Sequence, residues 1–154
     1  MISIVIKAKG LENLPAKLAR FRVGIIARIT RMLELSGEAV VGVSREDYLS
    51  GPRPKKLGRV SGDLARSVGY KLSGNKVVVG SNLIYAPIHE FGGVIVPKRA
   101  KALLFKTLDG RWHSASRVVI PARPFLHPAL RDSKPTLLKI VRHQAQEALR
   151  EAMA

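Results

Sequence analysis

Residues Tyr85 to Gly93 read YAPIHEFGG. Whether this is a metal-binding helix or a structural corner decides what kind of domain the rest of the chain can build. A zinc-protease helix needs two histidines one turn apart, so that both imidazoles reach one ion, with a glutamate as base. Here the position four beyond His89 is Gly93, and the motif fails at its second ligand. The other histidines, His113, His127 and His143, are scattered, no carboxylate cluster accompanies them, and the chain has no cysteine. The expectation is therefore no metal and no cofactor. As a corner the stretch reads coherently. Tyr85, Ile88 and Phe91, spaced by three, fall on one side of a single helical turn and are predicted to anchor it in the core. Gly92 and Gly93 let the chain leave in a conformation closed to other residues. Glu90 is an acid in a basic, apolar neighbourhood. Arg123, braced by prolines in IPARPFL, is the guanidinium expected to meet it.

Working outward, the segment after the corner contains two predicted strands, in ALLFKTL (102–108) and HSASRVVIP (113–121), joined at Asp109-Gly110. GVIVPKRAK starts a further strand that Pro97 interrupts. PARPFLHPAL is too rich in proline for either regular element. A closing helix is expected from Ser133, with Pro135 near its first turn and Leu137, Leu138, Val141, Ala145, Ala148 and Leu149 on its apolar face. Before the corner, DLARSVGYKLSGNKVVVGSN reads as two strands around Ser73-Gly74-Asn75.

The loop GPRPKKLGRVSG (51–62) carries Arg53, Lys55, Lys56 and Arg59 without one acid. Upstream of it, a long helix runs from a start at Asn13 and Pro15 to about Ser44. Leu14, Leu18, Phe21, Ile25, Ile29 and Met32 form its apolar stripe, and Lys17, Arg20, Arg28 and Arg31 lie off it. MISIVIKAK alternates as a half-buried strand, with no signal-peptide pattern. The order predicts a single α+β domain over residues 1–154. A long N-terminal helix and a C-terminal helix pack on an antiparallel sheet of about four to five strands.

The charge concerns partners rather than fold. Lys+Arg is 27 against Asp+Glu of 11, a formal net charge of +16. Residues 51–134 hold sixteen basic and four acidic side chains, so the surplus sits in the middle of the chain. Polyanions or acidic protein surfaces are the natural counterparts. Aromatic residues do not interleave with the basic ones, which counts against a stacking platform for single strands. Paired carboxylates, a nucleophile elbow and a phosphate loop are all missing, and no apolar run reaches membrane-spanning length. The expectation is a non-enzymatic protein without a membrane partner.

Taken together, SGDLARSV, VVVGSNLIYAPIHEFGG, VPKRAKALLF and VVIPARPFLHPAL resemble the phage virion morphogenesis family of tail-completion and head–tail joining proteins. The resemblance covers roughly residues 58–131. It rests chiefly on YAPIHEFGG followed at this distance by IPARPFL; the sequence carries His127 where relatives often have glycine. It marks Tyr85, His89, Glu90, Phe91, Gly92, Gly93, Pro121, Ala122, Arg123, Pro124 and Phe125 as family-motif structural residues. It implies a structural virion protein, made in the host cytoplasm and placed at the neck or the head-proximal end of the tail. Such a protein completes the tail or joins it to the head as a homo-oligomeric ring, six-fold favoured and twelve-fold open. Its implied partners are neighbouring connector and tail terminator or tube proteins, with non-specific contact to genomic DNA in the channel. Arg53, Lys55, Lys56, Arg59, Lys98, Arg99 and Lys101 are the candidate partner- or DNA-facing cations. The alternative function is a stand-alone basic nucleic-acid-binding protein.

Overall fold

The computed structural model describes residues 14–50, 57, 61–107 and 109–153. Two long helices dominate, α1 (Leu14–Val43) and α4 (His127–Met153). Between them lie a π-helical turn (Ser44–Tyr48), short helices α2 (Asp63–Ser67) and α3 (Ala86–Phe91), and six strands. The α+β class with helices at both ends is the one expected from the sequence, but among the described residues the strands do not join into the single sheet of about four to five strands expected with it. The strands are arranged as three antiparallel pairs: β1 (Val68–Ser73) with β2 (Lys76–Ser81), β3 (Gly93–Ile95) with β6 (Val118–Ile120), and β4 (Leu103–Lys106) with β5 (Trp112–Ala115). The predicted first strand and the basic loop residues Arg53, Lys55, Lys56 and Arg59 lie outside the described residues.

The apolar stripe of α1 does what its period requires. Ile25, Ile29 and Met32 face Val141, Ala145, Ala148 and Leu149 of α4 across an apolar groove of about 300 Å³. Arg28, expected on the solvated face, instead reaches over the groove rim, where its Nε donates to Glu151 at 3.3 Å. Further along α1, Gly37 is buried under the β1–β2 hairpin. A Cβ there would lie 2.6 Å from Tyr70 Cγ and 2.9 Å from Val77 Cγ2, so only glycine admits this approach. The hairpin turns at Gly74-Asn75 with Ser73 opposite Lys76 and Gly74 at φ 58°, a two-residue loop with glycine in its first central position.

Three boundaries differ from the sequence reading. Residues 63–67 are helical rather than strand; the strand begins at Val68, which is fully buried. HSASRVVIP divides between two ladders, because β5 returns on β4 while β6 pairs with β3. And α4 begins at His127, not at Ser133, so Pro135 lies inside the helix.

One small core joins these pieces. Val41, Leu49, Leu57, Leu64, Val68 and Phe125 meet there, with Ala65 and Ala86 filling between them. It draws on the end of α1, the π turn, α2, the start of β1, α3 and the approach to α4. Phe125, 1% exposed, is its largest fully buried side chain.

Candidate functional site: the Glu90 clasp

The two sequence motifs meet at Glu90. Its side chain is buried, and both carboxylate oxygens are engaged. Oε2 accepts the backbone N–H groups of Phe125 at 2.7 Å and Leu126 at 3.0 Å. Oε1 accepts the backbone N–H of His127 at 3.0 Å and lies 2.7 Å from its ring Nδ1. A helix start leaves backbone donors without intrahelical partners, and its dipole favours negative charge nearby. The usual remedy is an oxygen-bearing side chain at the N-cap. Leu126, directly before α4, has none, and Glu90 supplies that oxygen from a different helix. Burial pushes the Glu90 carboxyl up. The hydrogen bonds from His127, Leu126 and Phe125 outweigh this and hold it below its ordinary value.

The rest of the motif keeps the two segments at this distance. The backbone N–H of Arg123 donates to the carbonyl of His89 at 2.7 Å. Gly92 turns the chain at φ 72°, and a Cβ on it would stand 2.8 Å from the backbone nitrogen of Ala122. Both the conformation and the space therefore exclude a side chain. Immediately beyond, Gly93 opposite Ile120 opens the β3–β6 ladder.

Two expectations about this corner are corrected. Glu90 and Arg123 form no ion pair; Arg123 contributes its backbone, and the carboxylate is taken by amides. Nor are Tyr85 and Phe91 core anchors, being 42% and 70% exposed. The buried positions of α3 are Ala86 and Glu90, four apart, because the helix turns its carboxylate inward to cap α4. Tyr85 instead sets its ring edge against His89, and Phe91 against His127. Pro121, Ala122 and Pro124 are exposed and Phe125 is buried. Lys98, Arg99 and Lys101 are exposed in the β3–β4 connection.

A carboxylate held by four donors and kept ionised is a lock, not a poised base. Among the described residues, no three His, Asp or Glu side chains come together in a way that could hold a metal ion. Likewise no described helix is long and apolar enough to cross a membrane. What sequence reasoning missed was the destination of Glu90. A cap borrowed from 35 residues upstream leaves no mark beside the helix it caps.

Two long helices, three antiparallel strand pairs and a motif-to-motif clasp make up an α+β protein. The chain belongs to the phage virion morphogenesis family, whose model matches residues 43–146. That span includes the π turn, the clasp, all six strands and most of α4. No curated protein and no solved structure gives a significant match. Membership gives the chain a structural or assembly role in a phage virion.

Proposed function

We propose that this protein completes the head-proximal end of the tail, or joins tail to head, as a non-enzymatic subunit of a homo-oligomeric ring. The family match across both halves of the clasp carries this reading. The architecture supports it physically. A cyclic assembly of identical subunits needs two different complementary surfaces on each, and two-stranded ladders leave edges open to pairing. Six-fold symmetry is favoured and twelve-fold is the alternative. Neighbouring connector, terminator or tube proteins are its partners at the two rims.

Electron microscopy of particles assembled with and without the protein tests this. The expected result without it is filled heads beside unjoined or irregular tails. Joined, normal particles in its absence would overturn the reading. The net charge of +16 also favours a second reading, a nucleic-acid-binding protein acting through phosphate contacts. It predicts DNA affinity that falls steeply with salt, together with particles that assemble normally without the protein.

A further inference from the structure

The strand arm between α3 and α4 has a surface the clasp does not use. Val94 and Val119 are Cα partners in the β3–β6 register, so they share one face of the ladder, and both are 56% exposed. The last pair in that ladder is Ile95 with Val118. Beyond it the chain leaves through exposed Val96 toward Lys98, Arg99 and Lys101, while exposed Arg117 leads into β6 from the same end. An apolar face is thus bordered at one end by four cations. Among the described residues none of the four has an ion-pair partner. The other ladder repeats the combination. Leu104, Lys106 and Trp112 share one of its faces, with Leu104 70% and Trp112 66% exposed.

This surface is not balanced from within the arm. Between Phe91 and Arg123 the only acid is Asp109, which is occupied by Thr107 and by the backbone N–H of Arg111. Neither ladder packs extensively against the long helices, whereas β1 and β2 both lie on α1. A two-stranded ladder is marginal by itself and needs an apolar face covered to be firmly held. Exposed apolar residues rimmed by charge mark interaction surfaces, and potentials across an interface are complementary.

We propose that the β3–β6 face, with Lys98, Arg99, Lys101 and Arg117 at its end, docks an acidic protein surface with an apolar centre on a different component of the particle. The proposal rests on the virion-assembly reading above. The chemistry selects this occupant over two others. A phosphate backbone would satisfy the cations but leave Val94 and Val119 facing a charged polymer, and valines offer no stacking surface for bases. A second copy would have to meet this face with a different, acidic surface, and the chain carries only 11 acidic residues against 27 basic ones.

The test is site-specific cross-linking during assembly. The photoreactive residue p-benzoylphenylalanine replaces Val119 in the full chain, in cells producing the particle, and cross-linked peptides are sequenced. The expected product joins Val119 to one other particle protein, within a segment rich in Asp or Glu and bearing apolar residues. Combined reversal of the rim (Lys98→Glu, Arg99→Glu, Lys101→Glu and Arg117→Glu) should lower its yield at least ~10-fold at unchanged melting temperature. Lys76→Glu, at the distant β1–β2 turn, should leave the yield as it is. A product with DNA, a product with a second copy, no product, or an acidic product indifferent to charge reversal would each overturn the proposal. If particles join normally without the protein while the charge-dependent cross-link persists, the head–tail reading fails and this surface stands. If joining needs the protein but the cross-link is to itself or to DNA, only this surface fails.

Discussion

Glu90 on α3 holds the backbone N–H of Phe125 at 2.7 Å across 35 residues of sequence. Phe125 is at once the largest fully buried side chain of the core and, with Leu126 and His127, one of three residues whose amides reach the carboxylate. Core packing and helix capping are therefore fixed at one point. Moving Phe125 out of the core would pull the N-terminus of α4 off its cap, and removing the cap would loosen the approach that carries Phe125 into the core.

Glu90→Ala orphans several donors at once and is expected to destabilise by about 3 kcal/mol, because unsatisfied buried groups that served a charge are costly. Glu90→Gln keeps one acceptor oxygen and should lose roughly 1–2 kcal/mol. Arg123→Met should cost under ~1 kcal/mol and add independently to either Glu90 change, since the guanidinium is not part of the clasp. Urea unfolding of single and double variants measures this; a coupling well above ~0.5 kcal/mol between positions 90 and 123 would contradict the geometry.

The clasp also makes stability depend on pH. The Glu90 carboxyl is held below its ordinary value of 4.5 in the folded protein. Its contribution is therefore complete above the ordinary carboxylate range and is lost as pH falls through the folded value. Asp63, Asp109, Asp132 and Glu151 are lowered as well, so the informative quantity is a difference. The stability gap between wild type and Glu90→Gln should be constant near neutrality and shrink below pH 4.5. A gap that widens on acidification would refute the assignment.

Two glycines of α1 should respond with opposite signs. Gly37→Ala gains helix propensity worth roughly 1 kcal/mol, but it forces the new methyl into Tyr70 and Val77, an overpacking cost of about 1–3 kcal/mol. The net effect should be a loss, unless the hairpin shifts. At Gly42 an added Cβ would meet nothing within 4 Å beyond its chain neighbours and the helix's own backbone. Gly42→Ala should stabilise by about 0.5–1 kcal/mol. Thermal melting separates them.

Ser44 begins the π turn, is completely buried, and its hydroxyl has no hydrogen-bond partner. Removing a buried polar atom that bonds nothing relieves its desolvation cost. Ser44→Ala should raise stability by roughly 1 kcal/mol. A fall in melting temperature would mean that the hydroxyl is satisfied.

Protein purified without a histidine tag should contain no stoichiometric zinc. This follows from the missing second ligand after His89 and from the commitment of His127 Nδ1 to Glu90. Elemental analysis decides it; one zinc per chain would reopen the metal reading.

Periodicity and turn chemistry act locally, and what they specify was legible in the sequence. The stripe at Ile25, Ile29 and Met32 marks the packing face of α1, although its partner there, α4 rather than a sheet, was set by the tertiary structure; the glycines at 74, 92 and 110 mark the three turns they occupy. The corner at YAPIHEFGG was recognisable because a failed metal motif and a glycine exit are both properties of consecutive residues. Tertiary structure decided the rest. The start of α4 at His127 was hidden because its cap is a carboxylate on another helix. The inward face of α3 was hidden because it is chosen by Glu90 rather than by its aromatic residues. The division of HSASRVVIP between two ladders was hidden because strand pairing is made by partners distant in sequence. In each case the deciding energy is a hydrogen bond or a packing contact closed over a long loop, and no window of neighbouring residues contains both of its ends.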